Sequence, residues 1–215
     1  MPAARGRLIA LEGIDGCGKS TQAKAVAAAL GALLTHEPGA TPLGALLRQV
    51  LLTPDTPPPT PRAEALLMAA DRAEHVAEVI EPALAPGGWV VTDRYSGSTI
   101  AYQGYGRGLD VAGLAELVAW ATAGVAADLS VLVDVPVEVA AARLAQGARR
   151  GRGADRMERL GPEFAARVRE GFLAQAAADE GRWVVVDGTG EAAAITAHIV
   201  EAVRARLGPE PERRR

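Results

Sequence analysis

The sequence predicts an α/β fold with a parallel sheet of five strands and helices on both faces. Three observations predict it. Short apolar runs alternate with helix-length periodic segments from Leu8 to Leu207. Most of those runs are continuously apolar rather than alternating, the pattern of strands buried on both faces. The first run leads directly into Gly13-Ile14-Asp15-Gly16-Cys17-Gly18-Lys19-Ser20, a G-x-x-x-x-G-K-[ST] loop, and the loop leads directly into a helix. Strand, glycine loop and helix in that order define a P-loop NTPase.

The loop states its own chemistry. Glycines let the backbone fold back so that several N–H groups face one concavity, and the following helix adds its positive end, so an anion fits there. Gly13 to Thr21 are therefore the candidate nucleotide-binding residues, with Lys19 near the β/γ-phosphates. The Ser20 hydroxyl is a candidate ligand for Mg²⁺. The chain has only two lysines, Lys19 and Lys24, which makes the one in the loop unlike compositional noise.

In chain order, 7–12 reads as the first strand and 19–30 as the first helix. Leu33 to Glu37 is a second strand, stopped by Pro38-Gly39. Leu43 to Leu52 has apolar residues at helical spacing, and Thr53 to Pro61 carries five prolines and reads as a loop. Arg62 to Leu84 is a long helical pattern with Leu66, Leu67, Ala70, Val76 and Ile80 taken as its apolar face. Trp89 to Thr92 is a strand ending in Asp93-Arg94-Tyr95. Ser98 to Gln103 is a helix entering a Gly-rich loop, Gly104 to Gly108, and Val111 to Ala123 is another helix. Leu129 to Val133 is a central strand, Pro136 to Leu144 a helix and Gln146 to Gly153 a loop. Glu163 to Ala178, Trp183 to Val186 and Ala192 to Leu207 complete the series as helix, strand and helix.

Composition bounds the rest. The 215 residues are 49% apolar and 23% charged, which suits one domain with a full core. The net charge of −3 shows no basic excess, so nucleic acid is not the expected partner. Cys17 is the only cysteine, no apolar run reaches membrane-spanning length, and Met1 to Arg7 has no apolar signal core. The chain reads as soluble and cytoplasmic, with no membrane partner, and the polar 208–215 as a frayed tail.

Ligands of a doubly wound sheet sit at the carboxyl ends of its strands. Asp93-Arg94-Tyr95 falls on that rim, where the Arg94 fork matches a phosphate. Arg149, Arg150 and Arg152 lie in a glycine-flexible loop that reads as a lid over a transferring phosphoryl group, spanning 146–160. Arg72, taken alone, is a surface helix residue. Together these cations exceed what one nucleotide needs and suggest a kinase with two anionic substrates.

The residues resemble the thymidylate kinases nearly end to end. The resemblance rests on Glu12 to Thr21, Thr35-His-Glu-Pro-Gly-Ala-Thr41, Ala70-Asp-Arg-Ala-Glu-His75, Asp93-Arg-Tyr-Ser-Gly-Ser-Thr-Ile-Ala-Tyr-Gln103 and Asp155-Arg-Met-Glu158. It implies a nucleoside monophosphate kinase-like fold and transfer of the γ-phosphoryl of ATP·Mg²⁺ to dTMP. By resemblance, Gly13 to Thr21 hold ATP, Asp15 lies near the dTMP 3′-hydroxyl and near the metal, directly or through water, and Arg94 and more weakly Arg48 meet the dTMP phosphate. Arg72 donates to thymine O4, Thr99 and Gln103 read the N3 edge, and Tyr102 packs near the sugar 2′ position. Gly16 stands where one subclass has an arginine, so Lys19, Arg94 and the lid arginines are the catalytic cations, as in the bacterial type. Met68 stands where relatives often have an aromatic that stacks on the base; His36 and Ala40 replace a common arginine and glycine. The family also implies a homodimer, with 62–84 and 111–123 supplying apolar faces. Two competing readings are another nucleoside monophosphate kinase and a P-loop regulator without an acceptor. A guanine-reading N-K-x-D motif is impossible here, since the chain has no asparagine.

Overall fold

The computed structural model describes residues 5–54, 56–150 and 153–209. Strand β1 (Leu8–Glu12) is buried throughout and ends at the glycine loop, after which α1 (Lys19–Leu30) begins. β2 (Leu33–His36) leads to α2 (Pro42–Leu52), which the Thr41 hydroxyl caps by accepting from the Gly44 N–H at 2.9 Å. α3 (Pro61–His75) continues through a π-helical turn, Val76–Ile80, into α4 (Glu81–Leu84). β3 (Val90–Asp93) is followed by α5 (Ser96–Thr99), a second π-helical turn (Ile100–Gly106) and α6 (Val111–Ala121). β4 (Leu129–Asp134), α7 (Val137–Arg149), a 3₁₀ turn (Glu158–Leu160), α8 (Pro162–Ala178), β5 (Trp183–Asp187) and α9 (Ala192–Leu207) complete the order.

The five strands are all parallel, in the order β2-β3-β1-β4-β5. β1 is central, and its period of two sends Ile9 and Leu11 to one face and Leu8 and Ala10 to the other. On the first face they pack with Val26, Phe172 and Ile199, and on the second with Val76, Ile80 and Tyr95. Both faces are apolar, which is why the strand sequence does not alternate. The chain order reverses direction between β3 and β1, so the carboxyl ends of these two strands open a crevice holding the glycine loop and Asp93-Arg94.

Three features differ from the sequence-based expectation. The loop expected from Gln146 begins later, because α7 runs to Arg149; Gly147 is a weak breaker, costing about 1 kcal/mol in a helix. The Gly-rich loop at Gly104 is helical as far as Gly106. Its glycines serve close packing: a Cβ on Gly106 would lie 2.7 Å from the Phe164 ring of α8. The buried side of α3 is polar. Leu66 is 54% exposed and Ala70 faces outward, while Glu64, Asp71, Arg72 and His75 are buried. The helix turns this side toward the crevice, so Leu66 and Ala70 face outward, while Val76 and Ile80, further along, pack on the sheet as expected. Of the expected tail, 208–215, residues 210–215 lie outside the described residues.

Candidate active site

The loop conformation follows from its glycines. Gly13, Gly16 and Gly18 all have positive φ, and a Cβ on Gly13 would fall 2.7 Å from the Val133 carbonyl oxygen. Gly16 touches α7 in the same way, with the Ala140 carbonyl oxygen at 2.4 Å from a built Cβ, so no side chain fits there. The Cys17 thiol is buried in the core, and burial raises it above its ordinary range. Lys19 is 7% exposed and folds back over the loop, its Nζ donating to the Ile14 carbonyl at 3.3 Å and lying 3.5 Å from Asp15. Ser20 is exposed at the start of α1.

Asp15 meets Arg94 at the centre of the crevice. Nη2 of Arg94 donates to Asp15 Oδ1 at 2.6 Å and to the Tyr102 hydroxyl at 2.9 Å, and Tyr102 donates to Asp15 Oδ2 at 2.9 Å. Nη1 of Arg94 donates to the Gly13 carbonyl and to Ser98 Oγ, and the guanidinium lies 4.8 Å over the Tyr102 ring. Burial pushes the Asp15 carboxyl up, but Arg94 and then Lys19 outweigh it and hold Asp15 well below the usual carboxylate range. Arg94 itself adopts φ 75°, a left-handed conformation that costs a non-glycine residue about 1–2 kcal/mol.

Glu12 supports this turn from below. It is fully buried and accepts from the Tyr95 and Ser98 N–H groups and from Ser98 Oγ, so it holds the start of α5 and, through Ser98, Arg94. Burial outweighs these bonds and lifts its carboxyl from 4.5 to about 7. The folded protein then binds a proton more readily than the unfolded chain. The resulting stability is present below about pH 4.5 and is lost as pH rises through about 7. Asp71, raised by burial to about 6, adds the same sign over a lower window. Glu12→Gln is therefore expected to flatten much of the fall in urea-unfolding stability between pH 5 and 7, on the order of 3 kcal/mol. An unchanged slope would show that Glu12 is not the group responsible.

The far end of the crevice is built on Arg72, which is 2% exposed. Nε and Nη2 bind Glu37 Oε2 at 2.9 and 2.8 Å, Nη2 also donates to the Tyr95 carbonyl at 3.0 Å, and Nη1 donates to Thr99 Oγ1 at 2.7 Å. Nε, Nη1 and Nη2 each donate one hydrogen bond, Nη2 also meets Glu37 as an ion pair, and a second N–H on Nη1 remains. His75 pairs with the other Glu37 oxygen at 2.9 Å and with Thr35 at 2.6 Å. Asp71 accepts from the Gly39 N–H and Arg48 donates to the Pro38 carbonyl, so both shape the loop after β2.

These groups line one cavity of about 430 Å³. It brings together Asp15, Lys19, Ser20, Arg48, Met68, Arg72, Arg94, Thr99, Tyr102 and Gln103, all candidates from the sequence. Arg149 closes α7, Arg150 follows it, and both are exposed and off the cavity wall. Arg152 lies outside the described residues.

Sequence reasoning missed four residues. Glu12 and Glu37 stood inside quoted motifs, but nothing local shows that one braces a helix start and the other aims Arg72. Asp93 lines the cavity with a buried Oδ1 that has no hydrogen-bond partner, and its position at a strand end was the available signal. Arg143 of α7 binds the Cys17 carbonyl at 3.0 Å and the Gly188 carbonyl at 2.9 Å, a tie across more than a hundred residues of sequence.

The family model for thymidylate kinase matches residues 11–199. The chain belongs to the thymidylate kinase family. It is 51% identical over 179 residues to the thymidylate kinase of Synechococcus sp. (strain RCC307), covering 78% of this chain and 82% of that one. It is 50% identical over 190 residues to the thymidylate kinase of Carboxydothermus hydrogenoformans (strain ATCC BAA-161 / DSM 6008 / Z-2901), covering 86% and 90%. The crystal structure of thymidylate kinase from Ehrlichia chaffeensis superposes with a TM-score of 0.74 at 29% identity, covering 93% of this chain and 99% of that one. The family match spans both ends of the crevice, from the strand before the glycine loop to α9, and the fold is that of the P-loop nucleoside monophosphate kinases. No helix of the described residues is long and apolar enough to cross a membrane.

Proposed function

We infer that this chain transfers the γ-phosphoryl group of ATP to dTMP, giving ADP and dTDP, and so supplies dTTP synthesis in the cytoplasm. One observation carries the reading. A single cavity has a phosphate loop at one end, a buried Arg72–Thr99–Gln103 wall at the other, and Arg94 with Asp15 between them. Two polyanions fit such a cavity only if its cations divide the repulsion between them.

The acceptor phosphate is already anionic, so no general base is needed. Backbone N–H groups of Gly13 to Thr21 and the Lys19 ammonium hold the donor phosphates. The Ser20 hydroxyl and the orphaned Asp93 Oδ1 are oxygen donors that would hold Mg²⁺, with Asp15 nearby. Bound beside these residues, Mg²⁺ would supply positive charge that screens the donor phosphates. Arg94 meets the acceptor phosphate with its charge, exchanging bonds it makes within the site for bonds to the phosphate and assisted by Arg48, while Asp15 faces the sugar 3′-hydroxyl. Tyr102 is held rigid by Asp15 and Arg94 and closes the space beside the sugar 2′ position. Met68 covers the base with a polarisable thioether. The chain acts as one kinase domain, and Arg149, Arg150 and Arg152 close as a lid on the transferring group. Changing all three to Ala should lower kcat more than dTMP affinity, and unaltered turnover would exclude that lid role.

A coupled assay of ADP release across dTMP, dUMP, UMP, CMP, AMP and GMP tests the substrate. The expected result is a clear preference for dTMP. Equal or better turnover of CMP or AMP would place the chain with another acceptor.

The outward apolar surface supports a homodimer. Leu43, Leu46 and Val50 of α2 are 46%, 59% and 46% exposed beside Leu66 of α3, and Trp120 of α6 is 82% exposed. α2 packs on α3 and α3 on α6, so these helices form one surface. The protein is expected to sediment at twice its 22.2 kDa mass, and Leu66→Asp at that mass alone. A wild-type monomer would end the dimer proposal.

A further inference from the structure

Gln103 carries one donor end and one acceptor end, and its selectivity depends on which faces the cavity. The side chain is 1% exposed on the π-helical turn, opposite Glu64 of α3, also 1% exposed. Gln103 Nε2 lies 2.9 Å from Glu64 Oε1. A carboxylate offers only acceptors, so chemistry decides that the amide nitrogen, not its oxygen, faces Glu64. Arg107 completes the pair, donating to Glu64 from Nε at 3.1 Å and Nη2 at 2.8 Å. With its nitrogen held, Gln103 turns Oε1 to the cavity it lines, and no donor among the described residues reaches that oxygen.

We propose that Glu64 is a specificity-determining positioning residue: it locks the Gln103 amide with its acceptor toward the acceptor base, and so selects a pyrimidine bearing a hydrogen at N3. The proposal rests on the reading of the cavity as a nucleoside monophosphate site. Beside Gln103, Arg72 has one N–H to give. The wall then presents a donor next to an acceptor. Thymine answers with the C4 carbonyl and the N3 hydrogen. Cytosine has the reverse order, a C4 amino group and a bare N3. If the Gln103 amide turned over, its NH₂ would face N3 of cytosine and one of the two mismatches would vanish. The Glu64 carboxylate forbids that turn, because Oε1 of Gln103 would then face an acceptor in a buried site.

The test is the ratio of kcat/KM for dTMP to that for dCMP. Glu64→Gln can donate or accept, so it frees the Gln103 amide to turn. The ratio is expected to fall at least about tenfold, while Arg72 keeps part of the preference. A Glu64 that is merely structural would lower both substrates alike and leave the ratio where it was; that result overturns the proposal. The double variant Glu64→Gln/Gln103→Glu exchanges the two groups and again turns an acceptor to the cavity. It is expected to regain the wild-type ratio to within a few-fold. Thermal unfolding of each variant accompanies the kinetics. Should Glu64→Gln fail to fold, the double variant decides alone, its dTMP preference upholding the proposal and its loss overturning it. A wild-type enzyme without preference for dTMP over dCMP would instead overturn the substrate reading, whatever the variants do.

Discussion

Arg94→Ala and Arg94→Gly are each expected to lower kcat/KM for dTMP by about three orders of magnitude. Coupled-assay kinetics with direct measurement of dTMP binding would check this, with most of the loss in acceptor affinity and alignment. Among the described residues the Arg94 guanidinium is the cation that touches both halves of the site, reaching the Gly13 carbonyl and Asp15 in the glycine loop and Ser98 and Tyr102 on the acceptor side. No neighbour can substitute for it. Lys19 sits within its own loop, and Arg72 is buried at the other end of the cavity against Glu37. Activity within tenfold of wild type in either variant would remove Arg94 from the catalytic centre.

The same pair of variants reads the backbone separately. Both lose the same side-chain contacts, but glycine adopts φ 75° freely and alanine does not. The glycine variant is therefore expected to be more stable than the alanine variant by about 1 kcal/mol, a melting difference of about 2–4 °C. In both, Asp15 loses the strongest of the charges that hold it down, and burial then raises its carboxyl relative to wild type. In wild type Asp15 contributes stability above its unfolded value of 3.8, and that stability is lost as pH falls through its lowered folded value. The variants should lose stability earlier on acidification. Equal melting temperatures would mean that the φ 75° turn stores no strain.

The strand series and the glycine loop were legible because each rests on local chemistry: apolar runs of strand length, and glycines at fixed spacing before a lysine. All five strands fall where the runs predicted them, within a residue or two at each end. Arg94 was legible for a related reason, since a charged residue directly after a buried strand must emerge at the rim. The misreadings share one cause, a side chain whose role is set by a partner far away in sequence. Leu66 fits an apolar helical stripe, yet the helix turns Arg72 and Glu64 inward because Glu37, Thr99, Gln103 and Arg107 meet them there. Glu12 and Arg143 make their bonds across 45 to 126 residues, and no short window of sequence contains both ends. Gly106 looked like a flexible link, and only the approach of Phe164 shows that it is a contact.

Lys19→Met and Lys19→Arg are both expected to lower kcat by about 10²–10³ while equilibrium affinity for dTMP stays within a few-fold of wild type. Methionine keeps most of the length and removes the charge with its donors. Arginine keeps the charge but replaces a compact ammonium with a planar fork. The ammonium fits because it sits inside the curl of its own loop, 3.3 Å from the Ile14 carbonyl, with the side chain 7% exposed. A fork cannot occupy that position without pushing the loop open, so the charge-conserving change should fare little better than the neutral one. Asp15 remains paired with Arg94 in either variant, so the acceptor side keeps its geometry. Lys19 variants should therefore lose turnover with binding intact, and Arg94 variants should lose both. Calorimetric dTMP titrations beside steady-state kinetics separate the two patterns. If dTMP affinity fell in step with turnover for Lys19→Met, the division of the cavity into a donor end at Lys19 and an acceptor end beyond Arg94 would be wrong.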